Sequence, residues 1–136
     1  MSEMMMIPSL KGLRHEECWV LFLNDRNYLA GKAKLSSGGG SSTVIDVRQV
    51  IRTALDKGAS AIILVHNHPS GNPTPSPADI RQTDAVRKGV GAVGLNLLDH
   101  VVVADDSFFS FSDDRMYRNN AYLCEPCTST KKTPSP

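Results

Sequence analysis

Residues Ala61-Ile62-Ile63-Leu64-Val65 are continuously apolar and run directly into His66-Asn67-His68-Pro69-Ser70-Gly71, and this junction restricts the fold more than any other stretch of the chain. A short unbroken apolar run that ends in turn residues is the pattern of a strand buried on both faces, which requires a sheet with other elements packed on it. Downstream, Ser76-Pro77-Ala78-Asp79 has the chemistry of a helix start, with serine at the N-cap, proline in the first helical position and an acid two residues later. That acid lies near the positive end of the helix dipole. Two imidazoles therefore leave the carboxyl end of a buried strand, and a carboxylate returns from the first turn of the next helix. Open α/β sheets build their sites there. His66, His68 and Asp79 offer three N/O donors with a fourth position open, the pattern of a catalytic rather than a structural zinc site.

Taken singly, each feature has an ordinary explanation. A histidine at a strand end is commonly a satisfied polar residue, a Pro/Gly/Ser-rich run is a loop, and Ser76 with Asp79 is a helix cap. Together they follow His-x-His-x7-Ser-x2-Asp, and at this spacing the chain resembles the JAMM (MPN-plus) metalloprotease family. His66 to Gly71 and Pro75 to Asp79 resemble its bacterial RadC-type branch, and the likeness covers about residues 16 to 114, with Leu98-Asp99-His100-Val101 and Ser110-Phe111-Ser112-Asp113 included.

The resemblance implies a three-layer α/β fold related in shape to the cytidine deaminases: a mixed sheet flanked by helices. It implies one zinc ion per chain held by His66, His68 and Asp79, and hydrolysis of a peptide or isopeptide amide by an activated water. The family places its general base on a glutamate of an early strand, and its register points to Glu16 rather than Glu17. It also implies that Ser76 helps to stabilise the oxyanion, although the N-cap wants the same oxygen. Both roles coexist if the hydroxyl accepts from a backbone N–H and donates elsewhere.

The rest of the chain supplies a sheet around this junction. Residues 1 to 12 show no clear period and form an entry segment to a domain spanning residues 13 to 118. Glu17 to Leu23 reads as a central strand, Asn24 to Asn27 as a turn, and Tyr28 to Leu35 as the second arm of a hairpin. Ser36 to Ser42, with three successive glycines, reads as a linking loop because no Gly-Lys-Ser/Thr follows. Asp46 can cap a helix to about Lys57, with Val47, Val50, Ile51, Ala54 and Leu55 as its apolar stripe and Gly58 as its stop. A second helix is expected from Pro77 to about Lys88, broken by Gly89, Gly91 and Gly94. Leu95 to Ala104 and Ser107 to Phe111 then read as a strand pair, which completes the order β-β-α-β-α-β-β. Asn67 and Ser70 read as turn residues, His100 as a structural partner of Asp99, and His15 carries no assignment.

Composition limits the alternatives. At 136 residues and 40% hydrophobic the chain can bury one core, and its formal net charge of +1 supplies no footprint for strong autonomous binding to DNA or an anionic membrane. DNA affinity is therefore expected to be weak and salt-sensitive. No helix-hairpin-helix module, which longer family members carry upstream, is expected. No apolar run reaches membrane-helix length, no signal peptide is recognised and three cysteines cannot all pair, so a reducing cytoplasm is the expectation, while the resemblance implies a peptide or protein substrate. Residues 119 to 136 are polar and read as a disordered tail in which Cys124 and Cys127 form a lone Cys-x-x-Cys without the second pair of a zinc ribbon. A zinc deaminase would need a Pro-Cys-x-x-Cys partner motif, which is absent. The alternative within the resemblance is a DNA-repair-associated or nucleic-acid-processing accessory protein without peptidase turnover.

Overall fold

The computed structural model describes residues 15–37 and 45–118. The expected entry segment, most of the glycine loop and the polar tail with its two cysteines lie outside the described residues. The element order is β1 (Glu17–Leu23), β2 (Leu29–Ser37), α1 (Val47–Asp56), β3 (Ala61–Asn67), α2 (Pro77–Ala92), β4 (Asn96–Val103), β5 (Ser107–Ser110) and β6 (Arg115–Arg118). They form one six-stranded mixed sheet in the order β2-β1-β3-β4-β5-β6. Only β3 and β4 pair in parallel, joined by the crossover helix α2; the other neighbours are antiparallel.

The apolar run that defines β3 is buried along its whole length, as its two-sided hydrophobicity requires. Its alternate residues serve two cores. Ile62 and Leu64 join Val20 and Phe22 of β1 beneath Val50 and Ala54 of α1 and Val86 and Val90 of α2. Ala61, Ile63 and Val65 face the opposite way, with Leu21, Leu23, Val101, Val103 and Phe108. Both described helices thus pack on one face of the sheet, and among the described residues no helix covers the other face, where the family likeness implies a third layer.

The first helix starts where its cap predicts: Asp46 accepts hydrogen bonds from the backbone N–H groups of Arg48 and Gln49. Gly58 follows its end with φ +66°, a conformation that favours glycine. The stripe is narrower than expected, since Leu55 is exposed. The second helix departs further from the sequence expectation. It runs through Gly89 and Gly91 to Ala92, and the chain turns at Gly94, with φ +83°.

Gly89 has a packing reason to be there. A Cβ on it would lie 2.6 Å from Val47 Cγ1 on α1, so the missing side chain is what lets the two helices approach. A Cβ on Gly91 would meet nothing within 4 Å. Gly89→Ala should therefore destabilise the fold by about 1–3 kcal/mol through overpacking. Gly91→Ala should stabilise it by about 0.5–1 kcal/mol through helix propensity and a restricted unfolded chain. Urea denaturation of the two variants checks the pair, and a stable Gly89→Ala would show that the helices are free to separate.

One strand was not legible. Arg115–Arg118 has no place in the expected order of elements, yet it pairs along β5 from Ser107↔Arg118 to Ser110↔Arg115. A short, charged strand suits the sheet edge, where it discourages pairing with another chain.

Candidate metal centre

Strand register gathers the site. In the antiparallel β1–β3 pair Cys18 lies opposite His66, so the amino end of β1 meets the carboxyl end of β3. Side chains alternate along a strand, which separates the two adjacent acids. Glu16 sits just before β1, and its Oε2 is 3.6 Å from His66 Nε2. Glu17 turns to the other face, where its carboxylate accepts the Trp19 indole N–H at 3.0 Å and pairs with His15 Nε2 at 2.9 Å. The Trp19 hydrogen bond is the main reason that the Glu17 carboxyl is held below its ordinary range.

A second device fixes Glu16. Asn67 is the last residue of β3 and is buried, not part of a turn as its Asn-His-Pro context suggests. Its side-chain oxygen accepts the Glu17 backbone N–H and its amide donates to the His15 carbonyl. The carboxamide thus extends the β1–β3 ladder on both sides of Glu16. Nothing in the local sequence announces this; the signal is the pairing of two strands distant along the chain.

His68 continues past β3 through its backbone N–H, which donates to the Val103 carbonyl at 2.8 Å. Nδ1 of its ring carries a hydrogen, because it lies 2.9 Å from the Asn72 carbonyl oxygen, which can only accept. Nε2 is then the nitrogen turned inward, 3.1 Å from Asp79 Oδ2. Asp79 is equally constrained. Its Oδ2 accepts the Ser76 backbone N–H at 2.7 Å, and its own N–H donates to Ser76 Oγ at 3.1 Å, which closes the capping box at the start of α2. Its Oδ1 lies 3.7 Å from His66 Nδ1.

These contacts set the charges. Burial works against ionising Asp79, but the His68 ring and the Ser76 backbone N–H outweigh it and hold the carboxyl well below the usual carboxylate range. Burial lowers His66 and favours its neutral, ligating form. Burial also opposes charging His68, but the Asp79 carboxylate and the Asn72 carbonyl more than offset it and leave this ring raised. Cys18, opposite His66, is pushed up to about 12, first by burial and then by the Asp79 and Glu16 carboxylates, so it is a thiol.

Glu16, His66 and His68 each present a ligand atom, and these atoms lie within 4.8 Å of one another. Asp79 adjoins this group through both imidazoles. Two imidazoles and two carboxylates, one ring held by a backbone carbonyl and one carboxylate held anionic, make a donor set that fits a divalent metal of the zinc class.

His100 departs from its expected role. Asp99 does not hold its ring: the Asp99 carboxylate accepts the backbone N–H groups of His100 and Ser112 and the Ser110 hydroxyl. Alternation sends the imidazole to the opposite face, where Nδ1 meets Thr83 Oγ1 at 2.6 Å.

Two comparisons bear on this arrangement. The family model described as a RadC-like JAB domain matches residues 2–116. Relatives named UPF0758 protein are 41% identical over 112 residues in Flavobacterium johnsoniae and 45% identical over 108 residues in Porphyromonas gingivalis. Those alignments take in 82% and 79% of this chain but 49% and 48% of the relatives, so the chain spans about half the length of the curated relatives it matches. With the family model covering most of its length, the chain belongs to the RadC-like JAB domain family.

Proposed function

We propose that this domain is a zinc-dependent hydrolase that cleaves a peptide or isopeptide amide, with His66, His68 and Asp79 as the metal ligands and Glu16 as the general base. The observation that carries the reading is the convergence of Glu16, His66 and His68 within 4.8 Å, with Asp79 hydrogen-bonded beside them. Zinc bound there supplies a Lewis acid that brings the acidity of water from a pKa of about 15.7 to about 7.

The protein's own groups do the remaining work. Asp79 suits a ligand because the capping box and His68 already fix its carboxylate. Glu16 suits a proton carrier because its longer side chain stands at the strand entrance, beside the rings but outside that cap. It takes a proton from the attacking water and returns it to the leaving amine. Ser76 Oγ accepts the Asp79 N–H, which leaves its own hydrogen to donate to a developing oxyanion.

The test is an assay of zinc-loaded and chelator-treated protein against a diverse peptide library. Cleavage that is lost on chelation and restored by zinc supports the hydrolase. Absence of cleavage, together with tight binding to duplex or single-stranded DNA at near-physiological salt, would instead support the nucleic-acid-associated accessory role.

A further inference from the structure

Behind the metal centre, a cleft is lined by Cys18, Ile45, His66, Asp79, Gln82 and His100. His100 is 1% exposed, its ring stacked on Phe111 at 4.8 Å with 7° between the planes and tilted against His66 at 5.6 Å. Its Nε2 is, among the described residues, a buried side-chain polar atom without a hydrogen-bond partner. Leaving a buried polar atom unpaired is costly, so a ring held only for packing would do better without that nitrogen.

The opposite edge of the ring explains the choice. Thr83 Oγ1 lies 2.7 Å from the Asp79 carbonyl oxygen and 2.6 Å from His100 Nδ1. A carbonyl cannot donate, so the single hydroxyl hydrogen goes to Asp79 and His100 must supply its own Nδ1–H to the hydroxyl oxygen. The imidazole N–H thereby stops the hydroxyl from turning away from the residue that carries the ligand carboxylate. The same ring lies against His66, so two of the candidate ligands rest on one side chain.

We propose that His100 is a positioning residue for the metal centre: through Nδ1–H to Thr83 it orients the first turn of α2, and through its ring face it sets the plane of His66. This inference rests on the metal-binding reading above. It predicts that stability and metal affinity separate when His100 is changed.

The experiment measures zinc dissociation constants by competition with a chromophoric chelator, and apo-protein melting temperatures, for the wild type, His100→Phe, Thr83→Val, the double variant and His100→Asn. His100→Phe keeps the stack and removes the unpaired nitrogen, so its apo melting temperature should equal or exceed that of the wild type. Its zinc affinity should fall by about 10–100-fold, the usual effect of losing an outer-shell partner. Thr83→Val should weaken zinc binding similarly, and the double variant should be no worse than either single one. His100→Asn, whose amide can donate where Nδ1 did, should recover most of the affinity. If the wild type binds zinc but the Phe and Val variants bind it equally well, this inference falls alone. A wild type that takes up no zinc overturns the metal reading and the inference with it, whatever the melting temperatures.

Discussion

Glu16→Gln is expected to fold, to bind zinc as the wild type does, and to hydrolyse its substrate about 10²–10⁴-fold more slowly. Glutamine keeps the shape and the hydrogen-bonding reach of the side chain but cannot take up a proton. The loss should appear in kcat, since a base acts on the transition state rather than on substrate binding. Glu17→Gln is the internal control. That carboxylate is engaged by Trp19 and His15 on the opposite face of β1, so its replacement should change the rate little. A reversed order of the two rates would place the attacking water on the Glu17 side and contradict the geometry.

Phe22→Ala should have the largest effect on the fold. Phe22 is fully buried between the sheet and both described helices, in the cluster with Val50, Ala54, Val86 and Val90. Truncating such a ring costs about 3–5 kcal/mol in lost transfer energy and cavity formation. Domains of this size have about 5–15 kcal/mol in total, so the variant should unfold at a much lower urea midpoint. A midpoint within experimental error of the wild type would mean that the helices do not depend on this residue for docking. Because α2 carries Asp79 and β1 follows Glu16, partial loss of this core should also loosen the site.

Local signals account for what the sequence reveals. The two-sided apolarity of Ala61 to Val65 located the buried strand, Asp46 and Ser76 located helix starts through their capping oxygens, and Gly58 located a helix end. Each of those depends on residues a few positions apart. The misreadings have the opposite character. Gly89 looks like a helix breaker until Val47 of another helix is set against it. Asn67 looks like a turn residue until β1 pairs with β3 and its amide finds Glu17 and His15. His100 looks like a partner of its neighbour Asp99, but alternation along β4 delivers it to Thr83 on α2. Arg115 to Arg118 are too few and too charged to announce a strand, and their pairing with β5 emerges only from tertiary structure. In the site itself, the spacing of His66, His68 and Asp79 and the family register for Glu16 are local properties. The carboxamide beside Glu16 and the hydroxyl behind Asp79 emerge only from tertiary structure.

The most direct measurement is elemental analysis of the purified wild-type chain beside His68→Ala. His68 presents its inward nitrogen to Asp79 while its outward one is tied to the Asn72 carbonyl, so alanine removes a ligand without cutting β3. The metal-centre account predicts about one zinc per wild-type chain and near-complete loss in the variant. Equal zinc content in the two proteins would contradict it.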